Sequence, residues 1–414
     1  MVVTDKESYE KVSNATKDMD VKIILVDAEP TGAQIQKQVM SLKDVISIGK
    51  GKDLRTESLQ SSSDSIFLLP FSSGTTGKPK GVKLSHSGYL ANIAQFGPLD
   101  VMDNVSRTVL IFPMYHAAGM KIWLESLLNG FKLVTLPSFN PDTYLSCLLR
   151  HQPEQLTLPP PLVLFLAKSD KAKPEHFKNL DKIVVGAAPV GEVLINDFLK
   201  KAPHAEFREA WGMTELSAVG TMTSKNIVHG SCGKLISNTK LKIVDLDNGQ
   251  NKGPGKENTG EICVQGPQMM LGYLNNPEET AKTIQNGWLH TGDIGYYDED
   301  GNIYICDRLK ELIKVKGHQV APAELEDLIR GIDEVTDVAV IGIPDQRQGE
   351  VPRAYVVKSD ENLPASKIED YIAERLSSFK HLKGGVAFVK EIPKSAAGKI
   401  LRKDLKSKFL EEGI

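Results

Sequence analysis

Only four cysteines occur in 414 residues, Cys147, Cys232, Cys263 and Cys306. They stand so far apart that no C-x-x-C pair offers a zinc knuckle or a redox dithiol, so inert thiols in a reduced compartment are the ordinary reading. No window approaches the roughly 18 consecutive apolar residues that a membrane-spanning helix needs. The start, MVVTDKESYEKV, has neither the basic n-region nor the apolar stretch of a signal peptide, and the end, LEEGI, lacks a peroxisomal tripeptide. A cytoplasmic location is expected. Charge of neither sign dominates: the formal net charge is −3 with both signs mixed along the chain, which leaves no cationic stripe for nucleic acid and no polybasic membrane anchor. Internal repeats are absent, and SLQSSSDS near residue 60 is the single low-complexity patch. What is present is an ordinary globular balance, 41% hydrophobic and 25% charged, with length for two or three domains around a sizeable core.

Apolar β-rich runs alternate with helical-period segments over the first two-thirds. KIILVD, TVLIFP, KLVTLP and KIVVGA read as strands, and MKIWLESLL and VGEVLINDFLKK as amphipathic helices between them. That alternation predicts an α/β fold with a mostly parallel sheet covered by helices. After about residue 230 the runs shorten to KLKIVDLDNG and GEICVQG with Gly, Asn and Pro punctuation, which predicts a small barrel-like subdomain over 230–306, followed by a helix at NNPEETAKTIQ. From Asp307 a unit of roughly 100 residues carries a helix at APAELEDLI, strands at VTDVAVIGIP and PRAYVVK, and a helix at SKIEDYIAERL, enough for a small α+β domain. The expected division is therefore 1–306 and 307–414.

The most informative stretch is FSSGTTGKPKG, residues 71–81, after the strand-like IFLLP and ahead of a helical pattern. Its three glycines let backbone N–H groups approach phosphate oxygens, while four hydroxyls and two lysines add donors, the chemistry of a triphosphate cradle. Only two residues separate Gly74 from Gly77, so it is not a Walker A loop. Downstream come GAAPVG, WGMTE, GWLHTGD, DRLKELIKVKG and PKSAAGKILRK, in that order. With these motifs the chain resembles, over essentially its whole length, the adenylate-forming (AMP-binding) superfamily in its coumarate–CoA ligase and luciferase branch.

The resemblance implies activation of a carboxylic acid by ATP to an acyl-AMP, then transfer to coenzyme A, with Mg2+ as cofactor. It assigns Ser72, Ser73, Gly74, Thr75, Thr76 and Lys80 to the β- and γ-phosphates, Thr214 to the α-phosphate and Glu215 to Mg2+. Adenine would lie against Gly186, Ala187, Ala188 and Pro189 and against Glu209, Ala210, Trp211 and Gly212. Asp293 would accept from both ribose hydroxyls, with Arg308 holding the same sugar. Lys399 would bridge the reacting carboxylate and phosphate as a localised charge on a flexible stem. Asp307 and Lys310 would form a hinge for a mobile C-terminal lid whose second orientation presents Lys314, Lys316 and Gly317 to the thiol step. His116 would gate the acyl pocket, with a structural histidine as the plain alternative.

Several positions depart from the resemblance. Family members carry well over a hundred residues before the phosphate loop, and here Ser72 follows only 71, so an N-terminally shortened subdomain with uncovered apolar surface is expected. Ala118 stands where coumarate–CoA ligases place a tyrosine, Trp211 replaces the tyrosine of YGMTE, and Glu209 replaces a glutamine and brings an anion near the pocket. These changes argue against hydroxycinnamate and for a fatty or other aliphatic acid. Two alternatives remain at this level: a luciferase-like adenylating enzyme with another acceptor, and a catalytically silent paralogue that binds nucleotide or a protein partner.

Overall fold

The computed structural model describes residues 1–31, 34, 39–50, 63–72, 79–186, 190–224, 228, 230–395 and 398–411. It resolves into two compact units, Met1–Ser61 and Ser62–Ile414. In the first, the short strands Val2–Thr4, Ile23–Leu25 and Met40–Ser41 pair in parallel over a small core of Ile23, Leu25 and Val39. Its helix Leu42–Gly49 starts with a reciprocal cap, Ser41 Oγ accepting the Asp44 N–H and Asp44 accepting the Ser41 N–H.

The second unit is built around a seven-stranded sheet. Lys132–Thr135, Arg107–Leu110, Gln155–Leu158, Lys182–Val185 and Glu206–Trp211 run parallel, and Thr221–Met222 and Lys234–Leu235 extend the edge in antiparallel sense. Residues alternate across the sheet. Ile183 and Val185 point into the largest core, with Leu156, Phe207 and the helix residues Leu166, Ile195 and Phe198, whereas Val184 on the opposite face packs with Phe96, Val101 and Met222. The second face borders the cleft described below.

Past residue 230, Lys240–Val244, Gly260–Gln265, Trp288–Tyr297 and Ile303–Arg308 form an antiparallel, half-barrel sheet. The last layer is a mixed five-stranded sheet dominated by the antiparallel pair Val335–Asp345 and Gly349–Lys358, covered by Pro322–Arg330, Ala365–Ala373 and Arg402–Glu411. The α/β class matches the sequence expectation, as do the strands Lys132–Thr135, Arg107–Leu110, Lys182–Val185, Lys240–Val244, Gly260–Gln265, Val335–Asp345 and Gly349–Lys358 and the helices Pro322–Arg330 and Ala365–Ala373; the strands Gln155–Leu158 and Glu206–Trp211 and the helix Arg402–Glu411 have no counterpart in it. The surroundings of the phosphate loop need one correction. It leads into the strand Lys80–Ser85, which pairs with Phe71–Ser72 (Phe71 opposite Gly81, Ser72 opposite Lys80), and only then into the helix His86–Ala94. Val82 and Leu84 alternate inward and are fully buried, a period of two that decides the strand, and Ser85 caps the helix by accepting from the Gly88 N–H.

Candidate functional site

A cleft of about 700 Å3 opens within the second unit, and residues from motifs more than 300 residues apart line it: Ser72, Lys80, His116, Gly186, Ala210, Trp211, Gly212, Thr214, Glu215, Arg308, Lys310 and Lys399. Ser73, Gly74, Thr75 and Thr76 of the phosphate loop, and Ala187, Ala188 and Pro189, lie outside the described residues. At the foot of the loop the Ser72 hydroxyl is buried and has no hydrogen-bond partner among the described residues, an orphaned donor on a residue that lines the cleft. Lys80 extends from the paired strand, with its ammonium 2.8 Å from Glu279 and 4.7 Å above the Tyr273 ring. Tyr273 in turn donates to Glu215 (2.9 Å), whose carboxylate is 5% exposed on the cleft wall. A hydroxyl without a partner, an ammonium and a carboxylate converging on one wall fit a polyphosphate and a hard cation held together.

Asp293, the expected ribose partner, is 2% exposed and does not itself line the cleft, although its neighbours Gly292 and Arg308 do. Its Oδ2 accepts the indole N–H of Trp211 (2.8 Å) and its Oδ1 meets the Arg308 guanidinium (3.1 Å). Burial pushes its carboxyl upward, opposed by Arg308 and by the indole donor. The hydroxyl that Trp211 lacks is thus answered by an N–H that orients the acid beside the cleft. Two residues that the sequence reading passed over hold this strand in place. Glu261 takes the Gly292 N–H (3.1 Å) and lies 2.7 Å from His290 Nδ1, and both side chains border the cleft. Their only signal was position within GEICVQG and LHTGD.

Glu209 departs from its expected role. It does not border the cleft; its Oε1 accepts the Val190 N–H (3.1 Å), its Oε2 is buried without a partner among the described residues, and burial raises its pKa to about 7. The fixed anion expected near the pocket is therefore about half protonated at neutral pH. Gly212 is required by close packing, since a Cβ there would stand 2.0 Å from the Ala218 carbonyl oxygen.

The C-terminal segment reaches the same cleft. A tight turn, closed by Ser395 N–H to Lys399 O (2.8 Å) and Lys399 N–H to Ser395 Oγ (3.2 Å), presents Lys399, half-buried, 3.8 Å from Glu311. Burial and the neighbouring Arg308 pull its pKa down. Arg402 anchors the turn from the far side, 3.4 Å from Glu311 and 2.7 Å from Glu326. Asp307, buried with a pKa raised to about 6, accepts the N–H groups of Arg308 and Ala323 and so ties the last strand of the half-barrel to the helix Pro322–Arg330. Lys314, Lys316 and Gly317 are exposed and not part of the cleft; Lys316 and Gly317 form the left-handed turn of a hairpin (φ 49° and 84°).

His116 lies where both of its expected roles would place it. It borders the cleft and also caps the helix Ala117–Asn129, Nδ1 accepting the Ala118 N–H (3.3 Å), with burial lowering its pKa. A neutral ring is what a helix N-terminus favours. The apolar side chains of Phe96, Val101, Phe112, Ile122, Val184 and Met222 line the cleft as well, and Phe96, Val101, Val184 and Met222 pack as one cluster.

The AMP-binding enzyme model matches residues 1–274, and the AMP-binding enzyme C-terminal domain model matches residues 324–399. The 4-coumarate–CoA ligase 1 of Arabidopsis thaliana is 36% identical over 422 residues, covering 99% of this chain and 74% of that relative. A probable 4-coumarate–CoA ligase 3 of Dictyostelium discoideum is 37% identical over 96% of this chain and 75% of its own length. Among solved structures, ATP-bound MatB from Rhodopseudomonas palustris superposes with a TM-score of 0.87 at 25% identity (99% and 78% covered). The anthranilate CoA ligase AuaEII in complex with anthranoyl-AMP gives 0.86 at 25% (100% and 79% covered). Set beside the assembled cleft, these likenesses show that the chain belongs to the AMP-binding enzyme family, among the AMP-forming acid–thiol ligases that act on a carboxylic acid with ATP, Mg2+ and coenzyme A.

Proposed function

We propose that this chain adenylates a fatty or other aliphatic carboxylic acid and passes the acyl group to coenzyme A. The observation that carries this reading is a single cleft lined both by the polar side chains of Ser72, Lys80, Thr214, Glu215, Arg308 and Lys399 and by an apolar cluster of Phe96, Val101, Val184 and Met222; we take the apolar part as the acyl arm. In the first step a carboxylate oxygen attacks the α-phosphorus and the bond to pyrophosphate breaks; in the second the thiol sulfur attacks the acyl carbon and AMP leaves. Ser72 and Lys80 hold the phosphate tail, Lys80 exchanging Glu279 for phosphate oxygens, and Thr214 touches the α-phosphate. Glu215 holds Mg2+, which neutralises charge on the phosphates when bound. Trp211 presents an aromatic face to adenine, and the Asp293–Arg308 pair faces the ribose. Lys399 neutralises the charge that gathers between carboxylate and phosphate in a partly desolvated site.

We assign residues 1–306 to the AMP-binding body, with 230–306 as its barrel-like part, and 307–414 to a lid turning about Asp307 and Lys310. The interval between the two family matches supports a boundary in this region. With Lys399 in the cleft and Lys314, Lys316 and Gly317 outside it, the arrangement corresponds to the adenylating orientation of that lid. A cytoplasmic location accords with four free cysteines.

Pyrophosphate exchange with a panel of aliphatic and hydroxycinnamic acids tests the reading. Exchange with aliphatic acids, followed by thioester formation on adding coenzyme A, is expected. Exchange without thioester points to another acceptor, and no exchange by well-folded protein points to a silent nucleotide binder. Lys399→Ala should slow adenylation by on the order of a hundredfold to a thousandfold while leaving thioester formation from supplied acyl-AMP largely intact. Equal loss of both steps would contradict the lid assignment.

A further inference from the structure

The helix Ala117–Asn129 turns two charged side chains inward beside Ala117 and Ile122. Lys121 and Glu125, one turn apart, are 3% and 2% exposed and border the cleft, while Trp123, Leu127 and Leu128 on the same helix are 39%, 66% and 60% exposed. Binary patterning would reverse this, and sites where local rules are broken are where function is expected to intrude. The two side chains form an ion pair, with the Lys121 ammonium 3.5 Å from the centroid of the Phe96 ring. A buried pair of this kind is weak evidence for stability, because an apolar pair of equal volume commonly packs as well or better.

We propose that Lys121 and Glu125 form the polar floor of the acyl arm and recognise a neutral hydrogen-bonding group, a hydroxyl or primary amide, at the far end of an aliphatic acid. This rests on the acyl-CoA ligase reading above. An ammonium has three N–H donors, and here one is taken by Glu125 and another side of it by the Phe96 face, so donor capacity remains for a ligand. Glu125 brings acceptor oxygens next to it. A hydroxyl or amide both accepts and donates and so answers both partners at once. A second carboxylate gains Lys121 but is repelled by Glu125, and a bare methyl terminus leaves a buried charge pair without its hydrogen-bond partner. Gln155 and Thr157 also reach the cleft, but they satisfy one another (2.8 Å), and Thr108 donates to Gln155 (3.0 Å). The walls are apolar, through Val184 and Met222. At a rise of 1.5 Å per residue, the floor lies about 8 to 14 Å along the helix from His116, the reach of a chain of several carbons.

The test uses the full chain and straight-chain acids from butanoic to decanoic, each beside its ω-hydroxy and ω-carboxy counterpart, with pyrophosphate release and thioester formation measured. At the best-fitting length the ω-hydroxy acid should exceed the unsubstituted one in kcat/KM by at least about tenfold, with the ω-carboxy acid below the hydroxy acid. The paired substitution Lys121→Met with Glu125→Leu should erase or reverse that preference, its folding checked by thermal melting and ATP binding. The wild-type comparison stands whether or not the variant folds. Equal or better turnover of the unsubstituted acid at every length, a preference for the ω-carboxy acid, or a hydroxyl preference that survives the paired substitution would each overturn the proposal. Turnover of unsubstituted acids alone refutes it while leaving the ligase reading in place, whereas turnover of no acid removes both.

Discussion

At the scale of single residues the site is organised by burial of charge. Asp293, to which we assign the ribose, is oriented by an indole N–H and an arginine. Trp211→Phe should therefore weaken ATP binding about tenfold, the cost of one lost hydrogen bond to a buried charged group, with Asp293→Ala weaker still. Isothermal titration with ATP checks both, and unchanged affinity in the second refutes the ribose role. Lys399 is depressed from its ordinary 10.5 by burial and by Arg308. Its charge is lost as pH rises through the lowered value, so the alkaline limb of adenylation should fall earlier than for an ordinary lysine and vanish in Lys399→Ala. The identities of these residues were readable because charged and glycine-rich motifs recur in order along the chain. Their partners were not: nothing in the sequence links Trp211 to Asp293, Glu209 to Val190, or Lys80 to Glu279.

At the scale of elements, short-range pattern decided most strands and helices, and context decided the exceptions. KGVKLS became a strand because Val82 and Leu84 face a common core. Ala117–Asn129 became a helix as its spacing predicts, yet with its polar side chains inward, an orientation no periodicity reveals. The closing helix, Arg402–Glu411, buries only Leu405 and Phe409 and is tethered through Arg402 to Glu311 and Glu326. Breaking a buried ion pair by removing one partner costs roughly 3 to 5 kcal/mol. Arg402→Met is accordingly expected to lower the melting temperature and to reduce adenylation more than thioester formation, since it releases the turn that presents Lys399. Calorimetry together with separate assays of the two half-reactions would show this, and an equal effect on both steps would count against the anchoring role.

At the scale of the whole molecule, two buried carboxyls couple stability to pH. Glu209 rises from 4.5 to about 7 and Asp307 from 3.8 to about 6, both chiefly through burial. A raised carboxyl favours the folded state fully below its unfolded pKa, and that contribution disappears as pH rises through the folded value. For Glu209 the linkage amounts to about 3 kcal/mol between pH 4.5 and 7. Glu209→Gln should therefore flatten the fall in melting temperature between pH 5 and pH 8 and leave the variant the more stable protein at pH 8; parallel curves for the two proteins would refute the assignment. The sequence by itself determined the α/β class, many of the elements and the family, because periodicity and the order of glycine, hydroxyl and lysine motifs are local properties of the chain. Tertiary structure alone decided which of those motifs share a cleft, that Glu209 is buried away from it, and that a lysine and a glutamate face into it. Burial, desolvation and long-range pairing depend on which distant segments meet, and no local pattern encodes that.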